Sequence, residues 1–340
     1  MKIPIYRIFS FLIELNPMVI ILKNNKMKKI LVYFIGYVAI ILFCISCNQS
    51  QNLTYDETPT RGKIKISIDE SFKLLLDTEI FVFTALYKYA DIKPEYKPET
   101  DVINDFMNDS VRTIVAASKL TQNQTDFLLS KSIVPRTTTI AIDAIAFIIN
   151  VNNPDSLIQV NHIKSVLAGN ISKWEDIDKK NKLGNISVVF DNTKSANARY
   201  FLERLNLKKF PDNCYTANSN DSVIEYVEKN KNAIGIISVN WISENSDSVS
   251  NNFLNRIRVV GLTSELDPEG TSYYRPYPAY IADKSYPFIR EVYMINRESF
   301  NGLGSGLISF VGGEKGQRII LKAGLVPATM PVRLVEMKSK

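Results

Sequence analysis

From residue 63 onward, apolar residues either alternate with polar ones or recur at helical spacing, and the two rhythms take turns. "KIKISID" (63–69) alternates and predicts a strand, because successive side chains of a strand face opposite sides. "ESFKLLLDTEIFVFTALYKYA" (70–90) has helical spacing behind a capping Asp or Ser and predicts a helix. "VINDFMN" is helical in spacing, "VRTIVAAS" (111–118) reads as a strand, and "TQNQTDFLLSKSI" reads as a capped helix. "TTTIAIDAIAFIINVNNP" (137–154) predicts one long strand ended by a turn. A second set follows: a helix in "LIQVNHIKSVLAGNISKWEDI" stopped by Gly169, the strand "ISVVF", the helices of "ANARYFLERL" and "NDSVIEYVEKN", and the strand in "AIGIISVNW". After "RIRVVGL" and "YYRPYPAYIADKSYPFIREVYMIN", the segment "GLISFVGGEKGQRIILKAGLVP" predicts a terminal helix. This βα alternation predicts two mixed α/β lobes joined by crossing strands rather than a single barrel.

The stretch "VVFDNTKSANARYFLERL" (188–205) raises the first chemical question. Its polar centre, Asp191 to Asn197, contains neither Gly nor Pro, so chain reversal alone does not explain its residues. Ser195 is a good N-cap, Asn197 falls in the first turn, and Tyr200, Phe201, Leu202 and Leu205 give the helix one broad apolar side. A helix start exposes unpaired N–H groups at the positive end of the dipole and therefore suits an anion. The plain alternative is an ordinary capped connection.

Composition narrows the partners. The chain has 340 residues, 45% of them hydrophobic and 22% charged, enough for two globular units and unlike a disordered protein. Its formal charge of +6 suggests nucleic acid only until the excess is located. Residues 1–47 hold six Lys or Arg and one acid (Glu14), so the remainder is close to neutral and a polyanion partner loses its support. From Met27, "MKKILVYFIGYVAIILFCISC" has two Lys and an apolar run of about 14 residues, short of the roughly 20 a membrane span needs, then a small residue before Cys47. It resembles a bacterial lipoprotein signal, with Cys47 as the lipidated residue and Cys44 where Leu is usual. Translation is read as starting at Met27 rather than Met1. Residues 1–47 are the targeting segment and residues 48–62 a flexible tether. Cys214 is then the remaining cysteine of three, so no disulfide framework is possible.

Other candidates carry less. His162 is the single histidine, so neither a Ser-His-Asp triad nor a zinc site can be assembled. "GLGSG" (302–306) looks like a phosphate loop but lacks a following GK[ST], and reads as a loop before the last helix. Trp174 and Trp241 follow apolar runs and read as core. Tyr273, Tyr274, Tyr277 and Tyr280 favour an organic ligand if exposed, but Pro276 and Pro278 suggest a packed crossing loop.

Across residues 63–330 the motifs "IAIDAIAFIINVNNP", "VLAGNISKWEDI", "YPFIREVYMI" and "ISFVGGEKGQRIILKAGLVP" come in an order that resembles the phosphate-type substrate-binding proteins of ABC transporters. The resemblance implies the two-lobed type II fold of periplasmic binding proteins, with hinge-crossing strands. It places the first lobe at residues 63–146 and 251–335 and the second at 147–250. It also implies a non-enzymatic protein without cofactor, held at the cell envelope by its lipid, that passes inorganic phosphate to a permease. Carried over by position, the phosphate ligands are Ser71, Ser118, Lys119, Asp143, Ser195, Ala196, Asn197 and Arg199. In this scheme Asp143 accepts a hydrogen bond from a protonated phosphate oxygen and would repel fully ionised sulfate. The first turn departs from the family by carrying two acids, Asp69 and Glu70. The Arg expected a few residues before Ser195 is absent, leaving Lys119, Lys194 or Arg199 as the cation. A second reading keeps the fold but gives it a lost or altered ligand, as a lipid-anchored sensor or interaction module.

Overall fold

The computed structural model describes residues 57–242 and 255–331; the signal, Cys47 and most of the tether lie outside them. Strand β1 (Arg61–Asp69) alternates between exposed Arg61, Lys63 and Lys65 and buried Ile64, Ile66 and Ile68, and from Ser67 onward every residue is buried. Its end therefore carries Asp69 into the interior. A short 3-10 turn, Glu70–Phe72, leads into α1 (Lys73–Leu86). The helix expected to reach residue 90 stops there, because Tyr89–Lys97 forms β2, parallel to β1 along its whole length. β2 is an edge strand, which is why it tolerates Pro94.

Next come α2 (Glu99–Met107), β3 (Thr113–Ala116) and α3 (Gln122–Ser130), whose N-cap Thr121 and Gln124 form a capping box. The long strand β4 (Arg136–Asn150) follows, then β5 (Leu157–Ile158) and α4 (Val160–Leu167). Gly169, at φ +81°, ends α4 as its position predicts. β6 (Ser187–Phe190), α5 (Ala196–Arg204), β7 (Cys214–Thr216), α6 (Asn220–Lys229) and β8 (Ala233–Ser238) complete the middle of the chain. β9 (Ile257–Val259), β10 (Gly261–Leu262), α7 (Pro278–Ala282) and β11 (Ile289–Asn296) lead to the C-terminal helices.

The expected terminal helix is two helices, α8 (Leu303–Val311) and α9 (Glu314–Lys322), broken at Gly312 and Gly313 and followed by β12 (Val326–Pro327). "GLGSG" is not a loop but the first turn of α8, whose N–H groups at Gly304 and Ser305 are taken by the Glu298 carboxylate. Gly306 is small for packing: a Cβ there would lie 1.8 Å from the Pro59 carbonyl oxygen.

The main sheet runs β2-β1-β3-β11-β4-β8-β6-β7. β4 is its spine, with two sets of partners. Residues up to Ala144 pair with β11 and β12; from Ile145 onward they pair with β8 and β9. β1, β2 and β3 are parallel on one side, and β8, β6 and β7 on the other. α8 and α9 return to pack on α1, and α8 also meets β1. α5 is anchored by Phe201, whose ring lies 5.7 Å from Phe147 and 5.2 Å from Phe288 in edge-on contact. Among the described residues no helix is long and apolar enough to cross a membrane.

Candidate functional site

Parallel strands place their C-terminal ends beside helix N-termini, where ligands of open α/β sheets bind. Here the end of β1 supplies Asp69 and Ser71, and the end of β6 supplies Asp191 and the cap of α5. Ser195 caps α5 as expected, its Oγ accepting from Ala198 N at 3.2 Å. The same hydroxyl donates to Asp191 Oδ1 at 2.7 Å, and Asn197 Nδ2 donates to that oxygen at 3.2 Å. Ser195, Ala196 and Asn197 are all buried.

The two acids that stood out in the sequence both point inward. Asp69 Oδ1 accepts from Ser71 N at 2.7 Å, while Oδ2 faces Ala196 N, in the first turn of α5, at 3.3 Å. Burial, followed by repulsion from Glu99 and Asp191, raises its carboxyl to about 7, against the opposing pull of Arg290. Glu70 does the same at α6: its carboxylate accepts from Asn220 Nδ2 and lies 3.3 Å from Asn220 N. Burial, then Asp191, raises Glu70 to about 7 as well. A carboxylate at a helix start meets the positive end of the dipole, as an oxyanion would.

Where β4 changes partners, register sets Arg290 of β11 directly opposite Asp143. Both are buried, with Arg290 Nε 2.9 Å from Asp143 Oδ2. Nη2 is also 2.9 Å from that oxygen but off the hydrogen-bonding direction, and Nη1 has no partner among the described residues. Asp143 Oδ1 accepts from Ser238 Oγ at 2.8 Å. Burial raises the Asp143 carboxyl, and the Arg290 charge works against that rise. Arg290 is the functional candidate that sequence reasoning missed. Its motif was legible, but its pairing depends on register between distant strands.

Asn240 Nδ2 and Trp241 Nε1 both donate to the Ser71 carbonyl, at 2.6 and 3.0 Å, while the Ser71 side chain is buried beside the Asp69 carboxylate. The structure thus gathers Ser71, Asp143, Ser195, Ala196 and Asn197 at the inner ends of the strands. Arg199 is engaged elsewhere, paired with buried Glu99 and with Glu203. Ser118 is half-buried beyond β3, after Ala117, whose N–H donates to Glu99. Lys119 is exposed, its ammonium 5.3 Å from the Tyr293 ring centre, and Lys194 pairs with Asp101. Neither lysine supplies a buried cation.

The remaining candidates find structural roles. Trp174 is core and its Nε1 donates to the Asn232 carbonyl at 3.0 Å; Trp241 is buried too. Tyr274, Tyr277 and Tyr280 stack loosely around α7, with Tyr277 and Tyr280 partly exposed. Burial pushes the Cys214 thiol up to about 12, which leaves it a poor nucleophile.

Paired strand ends around a shared crossing strand form an open α/β site of the kind in which ligands are held. Residues 53–315 match the model of the PBP superfamily domain, and the chain belongs to that family of periplasmic binding proteins, non-enzymatic extracytoplasmic receptors, with their type II fold. A putative phosphate ABC transporter substrate-binding protein from Clostridium perfringens, solved with bound phosphate, is similar at 21% identity and TM-score 0.66, over 78% of this chain and 100% of that one. An ABC-type phosphate transport receptor from Vibrio cholerae is similar at 17% identity and TM-score 0.58, with 78% and 100% covered. The ancestral soluble variant of the human phosphate binding protein is similar at 12% identity and TM-score 0.64, with 78% and 90% covered. At these identities the likeness carries the fold. No curated protein sequence matches the chain.

Proposed function

We propose that this chain captures inorganic phosphate, or a closely similar oxyanion, and delivers it to an ABC permease from a lipid anchor on Cys47. Two lobes, 63–146 with 251–335 and 147–250, would close over the ion about the β4 crossing. The observation that carries this reading is the convergence of the α5 N-terminus, the Ser71 turn joined to it through Asp69, and buried Arg290, whose Nη1 has no hydrogen-bond partner among the described residues. Several convergent donors around one small charge suit a tetrahedral oxyanion, and Arg290 supplies the cation that the α5 turn itself lacks. The solved relatives whose names include phosphate add support at the level of fold. A second reading, a receptor with lost or altered ligand, is favoured by Asp69 and Glu70, whose carboxylates sit at the α5 and α6 helix starts.

Calorimetric titration with phosphate, sulfate and glucose separates the two. Phosphate is expected to bind, sulfate to bind far more weakly because it has no proton to offer Asp143, and glucose not at all. Ser195→Ala, which removes the α5 cap and a donor to Asp191, is expected to weaken phosphate binding by roughly 1.5–3 kcal/mol. If the wild-type chain has no phosphate affinity at millimolar concentration and Glu70→Ser acquires it, the second reading replaces the first.

A further inference from the structure

The helix start that an oxyanion would use is occupied by one of the chain's own side chains. Asp69 is held at both oxygens, by Ser71 N on its own turn and by Ala196 N on α5, and it is fully buried. Arg290, itself almost wholly buried, lies near enough to pull on the Asp69 charge, and its Nη1 has no hydrogen-bond partner among the described residues. Asp69 therefore fills the place of an anion while a buried donor nearby stays unused.

The charges facing Asp69 come from every element packed there. Glu70 shares its turn, Glu99 comes from α2, Asp191 follows β6, and Asp143 of β4 is paired with Arg290 of β11. Arg199 of α5 is already paired with Glu99. Four buried acids (Asp69, Glu99, Asp143 and Asp191) thus face Arg290 and the partly exposed Arg199. Placing a phosphate against an ionised Asp69 adds like charge to like charge in a site of low polarity, where repulsion is strong.

We propose that Asp69 is an internal competitor for the oxyanion, displaced only when its carboxyl takes up a proton, so that phosphate capture is coupled to protonation of this one side chain. The inference rests on the phosphate reading above. A proton from solvent adds to Asp69 Oδ2, which then gives up the Ala196 N–H and leaves that donor free for a phosphate oxygen. No other bond is made or broken. Burial, and after it Glu99 and Asp191, already disfavour the ionised carboxyl and make the uptake possible near neutral pH. Above neutrality each pH unit then costs wild-type affinity about tenfold beyond what the titration of phosphate itself imposes.

The test is phosphate affinity of the full chain in detergent, measured from pH 6 to pH 9 for wild type, Asp69→Asn and Asp69→Ser. Asn keeps the shape and removes the charge. Ser can still cap Ser71 N but is too short to reach Ala196, and so provides a second variant if the first melts early. The quantity read is the ratio of variant to wild-type affinity, in which the titration of phosphate and of Asp143 cancels. The ratio is expected to stay near one at pH 6 and to rise tenfold or more by pH 8.5. Wild type alone should take up a proton on binding, seen as a dependence of binding heat on the ionisation enthalpy of the buffer. A ratio that is flat with pH, or variants that bind more weakly than wild type throughout, overturns the proposal while phosphate binding stands. Absence of phosphate binding in all three proteins at pH 6 overturns the phosphate reading, and this proposal with it.

Discussion

Glu79 lies on the buried side of α1, and neither carboxyl oxygen has a hydrogen-bond partner among the described residues. Burial raises its carboxyl from 4.5 to about 9, so the folded protein keeps a proton there that the unfolded chain releases above pH 4.5. Stability from this group is fully present below about pH 4.5 and is lost as pH rises toward 9. At pH 7 the loss is on the order of 3 kcal/mol. Glu79→Gln, which cannot ionise, is therefore expected to be more stable than wild type, with a gap in melting temperature that widens from pH 5 to pH 8. Parallel melting curves across that range would reject a buried neutral acid. At this scale the sequence was informative where a residue broke a pattern. Asp69 and Glu70 stood out because acids are unexpected in that turn, and both proved to face the strand ends. Glu79 and Arg290 did not stand out, since burial and cross-strand register are properties of the assembled sheet rather than of a local stretch.

Elements whose ends carry their own chemistry were the most legible. The caps at Thr121 and Ser195 and the stop at Gly169 all act as their residue types suggest. β2 was obscured because an edge strand needs little apolar alternation, and the α8 to α9 break because "FVGGEKG" continues a helical rhythm through two glycines. Within α8 the glycines reflect packing. Gly306→Ala would normally favour a helix by about 1 kcal/mol. Here the added methyl meets the Pro59 carbonyl, and overpacking of this kind costs about 1–3 kcal/mol. The variant is expected to unfold at lower urea concentration than wild type; an unchanged or higher midpoint would mean that the Pro59 segment yields freely.

For the whole molecule, the alternation of strands and helices made the α/β class readable, while the sheet order needed contacts between distant segments. Nothing local says that β11 inserts between β3 and β4, yet that insertion brings Arg290 to Asp143. Although three strands separate β1 from β8 in the sheet, the turns that follow them meet, and there the Trp241 indole donates to the Ser71 carbonyl. The other tryptophan of the chain, Trp174, is bonded to Asn232, within the β6 to β8 side of the sheet. One indole thus bridges the two sets of strands and the other does not. Should the lobes close over phosphate as proposed, this pair becomes an optical gauge of the motion: separating the two sides would wet Trp241 and shift its emission to the red, leaving Trp174 as a constant background. A phosphate-dependent change in intrinsic fluorescence is expected to vanish in Trp241→Phe and persist in Trp174→Phe, and the reverse pattern would place the moving contact elsewhere.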